Sequence, residues 1–260
     1  MTYQNILSDL RDNVLYVTIN RENKLNALNK ETLTELADVV AFAIKSEEVR
    51  AVLLTGAGEK AFVAGADISE FASYTTEQGE VLARNGQNTV FDAIENSTKP
   101  FIAAINGFAL GGGLELAMAC HIRVASDSAK MGLPEVSLGL IPGYGGTQRL
   151  TQLVGKGIAT EMITTADMIS AEKAEKIGLV NYVVPAGELL AKAQEIIERI
   201  KQRAPLAVSA AIATVNASVA EGVNGFETEI EAFGKCFGTA DFKEGASAFL
   251  EKRKPLFKGK

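Results

Sequence analysis

The feature that most constrains the fold of this chain is an alternation of strand patterns and helix patterns along its first 185 residues. Mostly apolar runs of strand length occupy 51–55, 101–105 and 122–125. Residues 30–45 instead repeat their apolar positions every three or four residues, which predicts a helix. Residues 15–19 alternate large apolar and other side chains, which predicts a half-buried strand. Alternating strands and helices predict an α/β architecture.

The pattern changes near Pro185, and no segment after it reads as a strand. Four helices are predicted there, over 186–203, 205–220, 222–237 and 241–253. Asp241 is the expected N-cap of the last helix, because Glu244 follows it three residues later. We therefore divide the chain into a core of residues 1–200 and a helical region of residues 201–260.

Composition and charge narrow the possible classes of protein. The chain has 260 residues, of which 47% are hydrophobic, so it can bury one large core. Its net charge of −6 argues against a general nucleic-acid-binding surface. No run of 18 apolar residues occurs, so no membrane span is expected. The first five residues lack the basic and apolar parts of a signal peptide, and a cytoplasmic location is expected.

Cysteine and histidine usage gives little support to metal or triad chemistry. Cys120 and Cys236 fit no metal-ligand spacing, and Cys120 lies in an apolar run typical of a core. His121 is the one histidine in the sequence. A zinc site or a His-based catalytic triad is therefore not expected.

Three consecutive glycines, Gly111 to Gly113, form the most informative of three segments that suit chemistry. They are predicted to open a helix that runs to about Ala119, where unpaired amides and the helix dipole stabilise negative charge. Glu115 falls in the first turn of this helix, between apolar neighbours. Close packing of the helix against a strand explains the same glycines, and Glu115 would then only favour the dipole.

The other two segments lie on either side of the glycines. Residues 56–66 are predicted to form a glycine-rich loop after a strand, with an accessible backbone. An ordinary tight loop would have the same composition. Glu135 follows Pro134 in the almost wholly apolar segment 132–146. A carboxyl group buried there is expected to have a raised pKa, which suits a proton donor, and a plain helix start beside proline is the alternative.

Together and in order, these segments resemble the enoyl-CoA hydratase (crotonase) family. The matching motifs are Asn26-Ala27-Leu28, Ala64-Gly65-Ala66-Asp67, Asn106-Gly107, Gly111-Gly112-Gly113 with Glu115, Pro134-Glu135, Ile141-Pro142-Gly143, Gly145 to Leu150 and Phe249 to Lys254. The resemblance covers nearly the whole chain. One departure is His121, where relatives often carry Asp, and we assign His121 no catalytic role.

The resemblance implies a fold and an activity. The fold is a crotonase-type α/β spiral of ββα turns in residues 1–200, followed by a helical trimerisation region in residues 201–260. Trimers of this family commonly pair into hexamers. The activity is that of an enoyl-CoA hydratase, which adds water reversibly to a 2-enoyl-CoA and gives a 3-hydroxyacyl-CoA, with a short-chain substrate such as crotonyl-CoA favoured. The partner is an acyl-CoA thioester, and neither a metal nor a redox cofactor is expected.

The resemblance also implies roles for individual residues. The backbone amides of Ala64 and Gly112 are expected to bind the thioester oxygen in an oxyanion hole. Glu115 is expected to deprotonate the attacking water, and Glu135 is expected to deliver a proton to the alpha carbon. The amide of Gly143 is expected to help place the water. The residues expected to contact coenzyme A are Lys24, Ala27, Ala66, Asp67 and Ile68, with Phe249 and Lys252 from a neighbouring subunit.

Two alternatives share parts of this pattern. Isomerases and hydrolases of the same superfamily use the same glycine-rich site, so the fold alone does not determine the reaction. A non-catalytic acyl-CoA-binding protein is the second alternative. The presence of both Glu115 and Glu135 favours the hydratase, because binding alone needs neither carboxyl group. The sequence leaves the acyl-chain length, the metabolic pathway and the choice between trimer and hexamer undetermined.

Overall fold

The computed structural model describes residues 3–260. Met1 and Thr2, two of the five residues on which the signal-peptide prediction rests, lie outside the described residues. Within this part of the chain, ten strands form two sheets. Strands β1 to β10 span Ile6–Arg11, Val14–Ile19, Ala51–Gly56, Ala61–Ala64, Phe101–Ile105, Phe108–Leu110, Ile122–Ser126, Lys130–Gly132, Ile169–Ser170 and Tyr182–Val184. One sheet has the order β1-β2-β3-β5-β7-β10, and the other has the order β4-β6-β8-β9.

Three successive turns of the chain each supply one strand to each sheet. The pairs are β3 with β4, β5 with β6, and β7 with β8, and neighbouring turns pair in parallel in both sheets. Helices follow each pair before the chain enters the next turn. This arrangement is a spiral of ββα turns, as the family resemblance implied.

The helix at residues 30–45 and the four helices after Pro185 lie close to where the sequence predicts them. Helices α1 to α11 span Lys30–Lys45, Thr76–Gly86, Asp92–Glu95, Gly112–Ala119, Gly146–Val154, Lys156–Thr165, Ala171–Lys176, Leu189–Lys201, Pro205–Ala217, Gly225–Phe237 and Ala240–Leu250. A π-helical turn, Gln87–Phe91, joins α2 to α3. Helix α1 has the predicted bounds, and its N-cap Asn29 accepts a hydrogen bond from the Thr32 amide at 2.9 Å.

The six-stranded sheet separates two hydrophobic cores. Val52 and Leu54 of β3 point into the larger core, whereas Leu53 between them points into the smaller one. This alternation follows from the two-residue period of a strand. Helix α8 covers the outer face of the sheet and fills the smaller core with Leu189, Ala193, Ile196 and Ile197. The large core holds the other sheet and most of the helices that follow the ββ pairs.

Two local predictions are wrong. The predicted loop 56–66 contains strand β4, because Ala61–Ala64 pairs in parallel with β6. The last helix begins at Ala240, and its N-cap is Thr239 rather than Asp241, because the Thr239 hydroxyl accepts the Phe242 amide at 3.0 Å. The Asp241 carboxylate instead accepts the amides of Lys258 and Gly259, at 2.7 and 2.8 Å, and so holds the end of the chain.

Helices α9 to α11 leave large apolar side chains uncovered in a single chain. Phe226 of α10 is 82% exposed, and Phe249 at the end of α11 is 84% exposed. Ile230, Phe233 and Phe237 are exposed as well. They share one face of α10 with Phe226, because they recur at helical spacing. Among residues 3–260, no helix is long and apolar enough to cross a membrane.

Candidate active site

The glycine-rich start of α4 lies against the end of β4. Gly111 adopts φ 50° and ψ −125°, a conformation that favours glycine. A Cβ atom on Gly111 would lie 2.9 Å from Oε1 of Glu135. A Cβ atom on Gly113 would lie only 2.0 Å from the carbonyl oxygen of Val63. Both explanations given for the glycines from the sequence therefore apply. Gly113 allows close packing against β4, and Gly111 leaves room for the carboxyl group of Glu135 beside the helix start.

Two backbone amides near this helix start are available to a ligand. Within residues 3–260, neither the N–H of Gly112 nor the N–H of Ala66 donates a hydrogen bond to the protein. Gly112 is the first residue of α4, where amides have no partner in the helix and the dipole is positive. Gly65, which precedes Ala66, has its Cα 3.7 Å from the position of a Cβ on Gly111. The two free amides thus belong to neighbouring backbone segments.

The prediction that the Ala64 amide binds the thioester oxygen is wrong. The Ala64 N–H already donates to the carbonyl oxygen of Leu25 at 3.0 Å. One N–H carries one hydrogen, so it is not free for a ligand. The amide of Ala66, two residues later, donates to no atom of residues 3–260; the sequence assigned Ala66 to coenzyme A contact.

Glu115 is buried in the first turn of α4, with 1% of its surface exposed. Its Oε1 accepts hydrogen bonds from the amides of Tyr144 at 2.7 Å and Gly146 at 2.8 Å. Burial is the largest influence on this group, and with the repulsion of Glu135 it raises the pKa of Glu115 to about 7. The two amides and the positive charge of Arg149 act in the opposite direction.

Glu135 begins a short 3₁₀ turn, Glu135–Leu138, and its carboxyl group is held differently. Its Oε2 is buried and has no hydrogen-bond partner within residues 3–260. Burial raises the pKa of Glu135, as the sequence predicted. An unpaired buried oxygen favours the neutral acid, because a charge there would be poorly solvated.

Gly143 and Tyr144 lie in the turn that faces Glu115. The carbonyl oxygen of Gly143 accepts a hydrogen bond from the side-chain amide of Gln87 at 2.7 Å, whereas the Gly143 N–H donates to no atom of residues 3–260. The ring of Tyr144 stacks on Phe91 with 4.7 Å between centroids. A free amide is therefore present next to the residue whose own amide holds Glu115.

The residues expected to contact coenzyme A near the start of the chain lie on two joined loops. The Leu28 amide donates to Gly65 at 2.9 Å, and the Asp67 amide donates to Leu28 at 2.7 Å. These bonds bring the loop that holds Lys24 and Ala27 beside the loop that holds Ala66 and Ile68. Lys24 and Ile68 are exposed there.

The Asp67 side chain is committed to the protein. It pairs with Arg21 at 3.1 Å and accepts the Ser69 hydroxyl at 2.7 Å, and both contacts lower the pKa of Asp67. Arg21 also donates to the carbonyl oxygen of Ala27. Sequence reasoning missed Arg21, because no local pattern links it to a residue 46 positions away.

Sequence reasoning also missed Arg149, although it quoted the motif that contains this residue. Arg149 is buried in α5, where it binds Asp92 at 2.7 Å and Glu95 at 2.6 Å. Phe249, by contrast, lies in the last turn of α11, and Lys252 lies two residues beyond the helix with φ 56°. His121 accepts the Phe101 amide at 2.9 Å, and burial lowers its pKa to about 4, so it is a neutral structural residue.

Fold and site together define a class of α/β spiral proteins in which one buried and one partly buried carboxyl group meet a glycine-rich helix start. The family model for enoyl-CoA hydratase/isomerase matches residues 9–260. A short-chain-enoyl-CoA hydratase of Clostridium acetobutylicum is 49% identical over 98% of this chain and 97% of its own. A crotonyl-CoA hydratase of Syntrophomonas wolfei is 46% identical, over 99% of both chains.

Solved structures give the same result. The crystal structure of an enoyl-CoA hydratase from Bacillus anthracis matches with a TM-score of 0.93 and 42% identity, covering 99% of this chain and 100% of that one. A structure from Geobacillus kaustophilus also has a TM-score of 0.93, at 40% identity, and covers 99% of both chains. The chain belongs to the enoyl-CoA hydratase/isomerase family, and its fold is the crotonase-type spiral.

Proposed function

We propose that this protein is an enoyl-CoA hydratase that adds water reversibly to a 2-enoyl-CoA, with crotonyl-CoA or a similar short-chain substrate favoured. The observation that carries the proposal is the pair of carboxyl groups beside the start of α4, one buried and bonded to two amides and the other partly buried with an unpaired oxygen. The names of the relatives at 49% and 46% identity, a short-chain-enoyl-CoA hydratase and a crotonyl-CoA hydratase, support the same substrate class.

The thioester oxygen is the atom on which negative charge develops. Water adds to the beta carbon, and conjugation moves the electron pair towards the thioester carbonyl. We assign the stabilisation of that charge to the amides of Ala66 and Gly112, because both are free and lie on adjacent segments. One donor of this kind contributes about 3–4 kcal/mol in other enzymes. The dipole of α4 adds to the effect.

Glu115 is the proposed base for the attacking water. Its Oε1 is held by two amides, and its Oε2 has no hydrogen bond to residues 3–260 and remains for the water. A pKa of about 7 leaves a large ionised fraction at neutral pH while keeping the group basic. The free N–H of Gly143 would orient the same water through its oxygen.

Glu135 is the proposed acid. Burial raises its pKa and so favours the protonated acid, which would deliver its proton to the alpha carbon as the beta carbon gains the hydroxyl group. In the dehydration direction the two carboxyl groups exchange roles. The thioester itself supplies the activation, so the proposal includes neither a metal nor a redox cofactor.

Coenzyme A would lie over the two joined loops. Lys24, Ala27, Ala66 and Ile68 are the proposed contacts, with Asp67 holding the loop through Arg21 rather than touching the ligand. We further propose that residues 201–260 form the trimer or hexamer interface and that Phe249 and Lys252 reach the coenzyme A of a neighbouring subunit. The exposure of Phe249 supports this assignment. A cytoplasmic location is part of the same proposal.

The decisive experiment mixes the protein with crotonyl-CoA and follows the loss of the enoyl thioester absorbance, with product identified by mass spectrometry. We expect 3-hydroxybutyryl-CoA. Glu135→Gln should lower kcat by about 10²–10⁴-fold with coenzyme A affinity retained. A shifted double bond would indicate an isomerase, free coenzyme A would indicate a hydrolase, and binding without turnover would indicate a non-catalytic protein.

A further inference from the structure

We infer that Arg149 is a positioning residue for Glu115, acting through the turn at Tyr144. The inference rests on the proposed role of Glu115 as base. Arg149 is only 6% exposed, and its guanidinium makes four hydrogen bonds. Three of them go to carboxylates on α3, and the fourth goes from Nη1 to the carbonyl oxygen of Tyr144 at 2.8 Å.

The turn that holds Glu115 is rich in glycine, so its own sequence permits many backbone conformations. Its two donors, the amides of Tyr144 and Gly146, flank Gly145, which has φ 89°. Gly143 precedes them, so three of four consecutive residues are glycines with a wide range of backbone angles. The local sequence does not therefore fix the direction of the two N–H bonds, and contacts from elsewhere must do so.

Arg149 supplies such a contact. Its bond to the carbonyl oxygen of Tyr144 restricts rotation about the backbone of that residue, whose own N–H donates to Glu115. A Cβ on Gly145 would lie 2.3 Å from Nη1 of Arg149, so the guanidinium lies directly against the turn. The guanidinium is itself fixed by Asp92 and Glu95. The chain of contacts thus runs from α3 through Arg149 and the turn to Glu115.

The charges around Glu115 give this geometry a measurable electrostatic signature. Burial and the charge of Glu135 raise the pKa of Glu115, whereas Arg149 lowers it. The Tyr144 hydroxyl is neutral near pH 7, because burial raises its pKa further above that range. Asp92 and Glu95 of α3 lie behind Arg149 and partly compensate its charge. Removal of Arg149 should therefore favour the protonated form of Glu115, by loss of both the positive charge and the well-aimed amides.

The alternative is that Arg149 only joins α3 to α5. Arg149→Gln would then lower the melting temperature and leave the kinetics of folded enzyme unchanged. A positioning role predicts instead a kcat lowered by about 10–100-fold, a KM for crotonyl-CoA within about twofold of wild type, and an acid limb of the kcat profile moved to higher pH. Arg149→Lys keeps the positive charge but makes fewer hydrogen bonds. It should give an intermediate kcat and a smaller shift of the acid limb.

Arg199→Gln is the matched control, because it removes one positive charge from an exposed position on α8. Its kinetics should equal those of wild type. Folding is checked by circular dichroism, and if Arg149→Gln does not fold, Arg149→Lys carries the test. Wild-type kcat and an unmoved acid limb in the folded variant would overturn the inference.

A test without substrate separates this inference from the proposed function. Carbon-13 NMR of glutamate-labelled protein, assigned with Glu115→Gln, measures the pKa of Glu115 directly. That pKa should rise in Arg149→Gln and remain unchanged in Arg199→Gln. An unchanged value in Arg149→Gln would refute the positioning role. Failure of the wild-type protein to hydrate crotonyl-CoA would refute the proposed function and leave this measurement intact.

Discussion

At the scale of single residues, Glu115 shows opposing influences on one carboxyl group. Burial in α4 favours the neutral acid, and the two amides at Oε1 favour the carboxylate. Burial is the larger influence, so the pKa is raised to about 7 rather than lowered. A base with this pKa is ionised to a useful extent at neutral pH and still accepts a proton readily.

The raised pKa of Glu115 predicts a pH-dependent cost to stability. In the unfolded chain the group titrates near 4.5, so the folded state binds its proton more tightly. The folded protein therefore loses stability as pH rises from about 4.5 through about 7, by about 3 kcal/mol at most. Glu115→Gln has no such group and should gain stability relative to wild type over this range.

Urea unfolding at pH 5 and pH 8, at one protein concentration, measures this effect. The difference between Glu115→Gln and wild type should be larger at pH 8, in favour of the variant. The exposed Glu231→Gln serves as control and should show little change between the two pH values. A difference of the same size for Glu115→Gln at both pH values would contradict the assigned pKa.

The sequence singled out both carboxyl groups, but it assigned the thioester oxygen to the amide of Ala64, which is already bonded within the protein. Glu115 and Glu135 stand out because charged residues in apolar segments are rare. The choice between Ala64 and Ala66 depends on whether Leu25 offers its carbonyl oxygen. That carbonyl is placed by Leu25 and Asn26, which adopt φ 51° and 60°. Such angles are uncommon for residues other than glycine, and no sequence pattern indicated them.

At the scale of elements, the first residue of α4 allows a clean separation of the amide from the side chain. A Cβ on Gly112 would lie 3.4 Å from Leu28 and 3.5 Å from Tyr144, which are near-ordinary contacts. Gly112→Ala should therefore fold and retain most of its activity. Gly112→Pro removes the N–H at a helix position that tolerates proline, and kcat should fall by about 10²–10³-fold.

Circular dichroism and melting curves establish that both Gly112 variants are folded before their kinetics are compared. A folded Gly112→Pro enzyme with the turnover of Gly112→Ala would exclude this amide from the oxyanion hole. Equal loss in both variants would instead attribute the effect to crowding at the helix start.

The length of an element decides how well the sequence predicted it. Helix α1 has sixteen residues, and its periodicity gave both ends correctly. Strands β4, β6 and β8 have only three or four residues, too few for a two-residue period to be recognised. Their existence depends on pairing with neighbouring turns of the spiral, which is tertiary information. The resemblance, not the periodicity, therefore supplied the second sheet.

At the scale of the whole molecule, the apolar face of α10 provides a test of assembly. Phe226, Ile230 and Phe233 lie on one face, and Lys235 lies on another. Burying one Phe contributes about 1.5–3 kcal/mol. Phe233→Glu should therefore shift the protein from trimer or hexamer to smaller species in light scattering. Lys235→Glu is the matched control and should leave the assembly intact. If Lys235→Glu dissociated the subunits and Phe233→Glu did not, the interface would lie elsewhere.

The C-terminal lysines provide a test of the proposed ligand site shared between subunits. Lys252→Ala should weaken coenzyme A binding, and the loss should be larger at low salt because ions screen a lysine–phosphate attraction. Lys254→Ala removes the same charge two residues away and serves as control. Titration calorimetry at two salt concentrations gives both affinities. Equal affinity of wild type and Lys252→Ala at low salt would remove Lys252 from the site.

The uncovered face of α10 also makes the folding stability of this protein depend on its concentration if subunits cover that face. When subunits cover that face, folding and association draw on the same apolar surface, and the melting temperature depends on protein concentration through mass action. Dilution then weakens the fold without any change of sequence, temperature or solvent. The protein would be most fragile at the nanomolar concentrations at which a fast enzyme is usually assayed, so a slow loss of turnover after dilution would report dissociation of subunits.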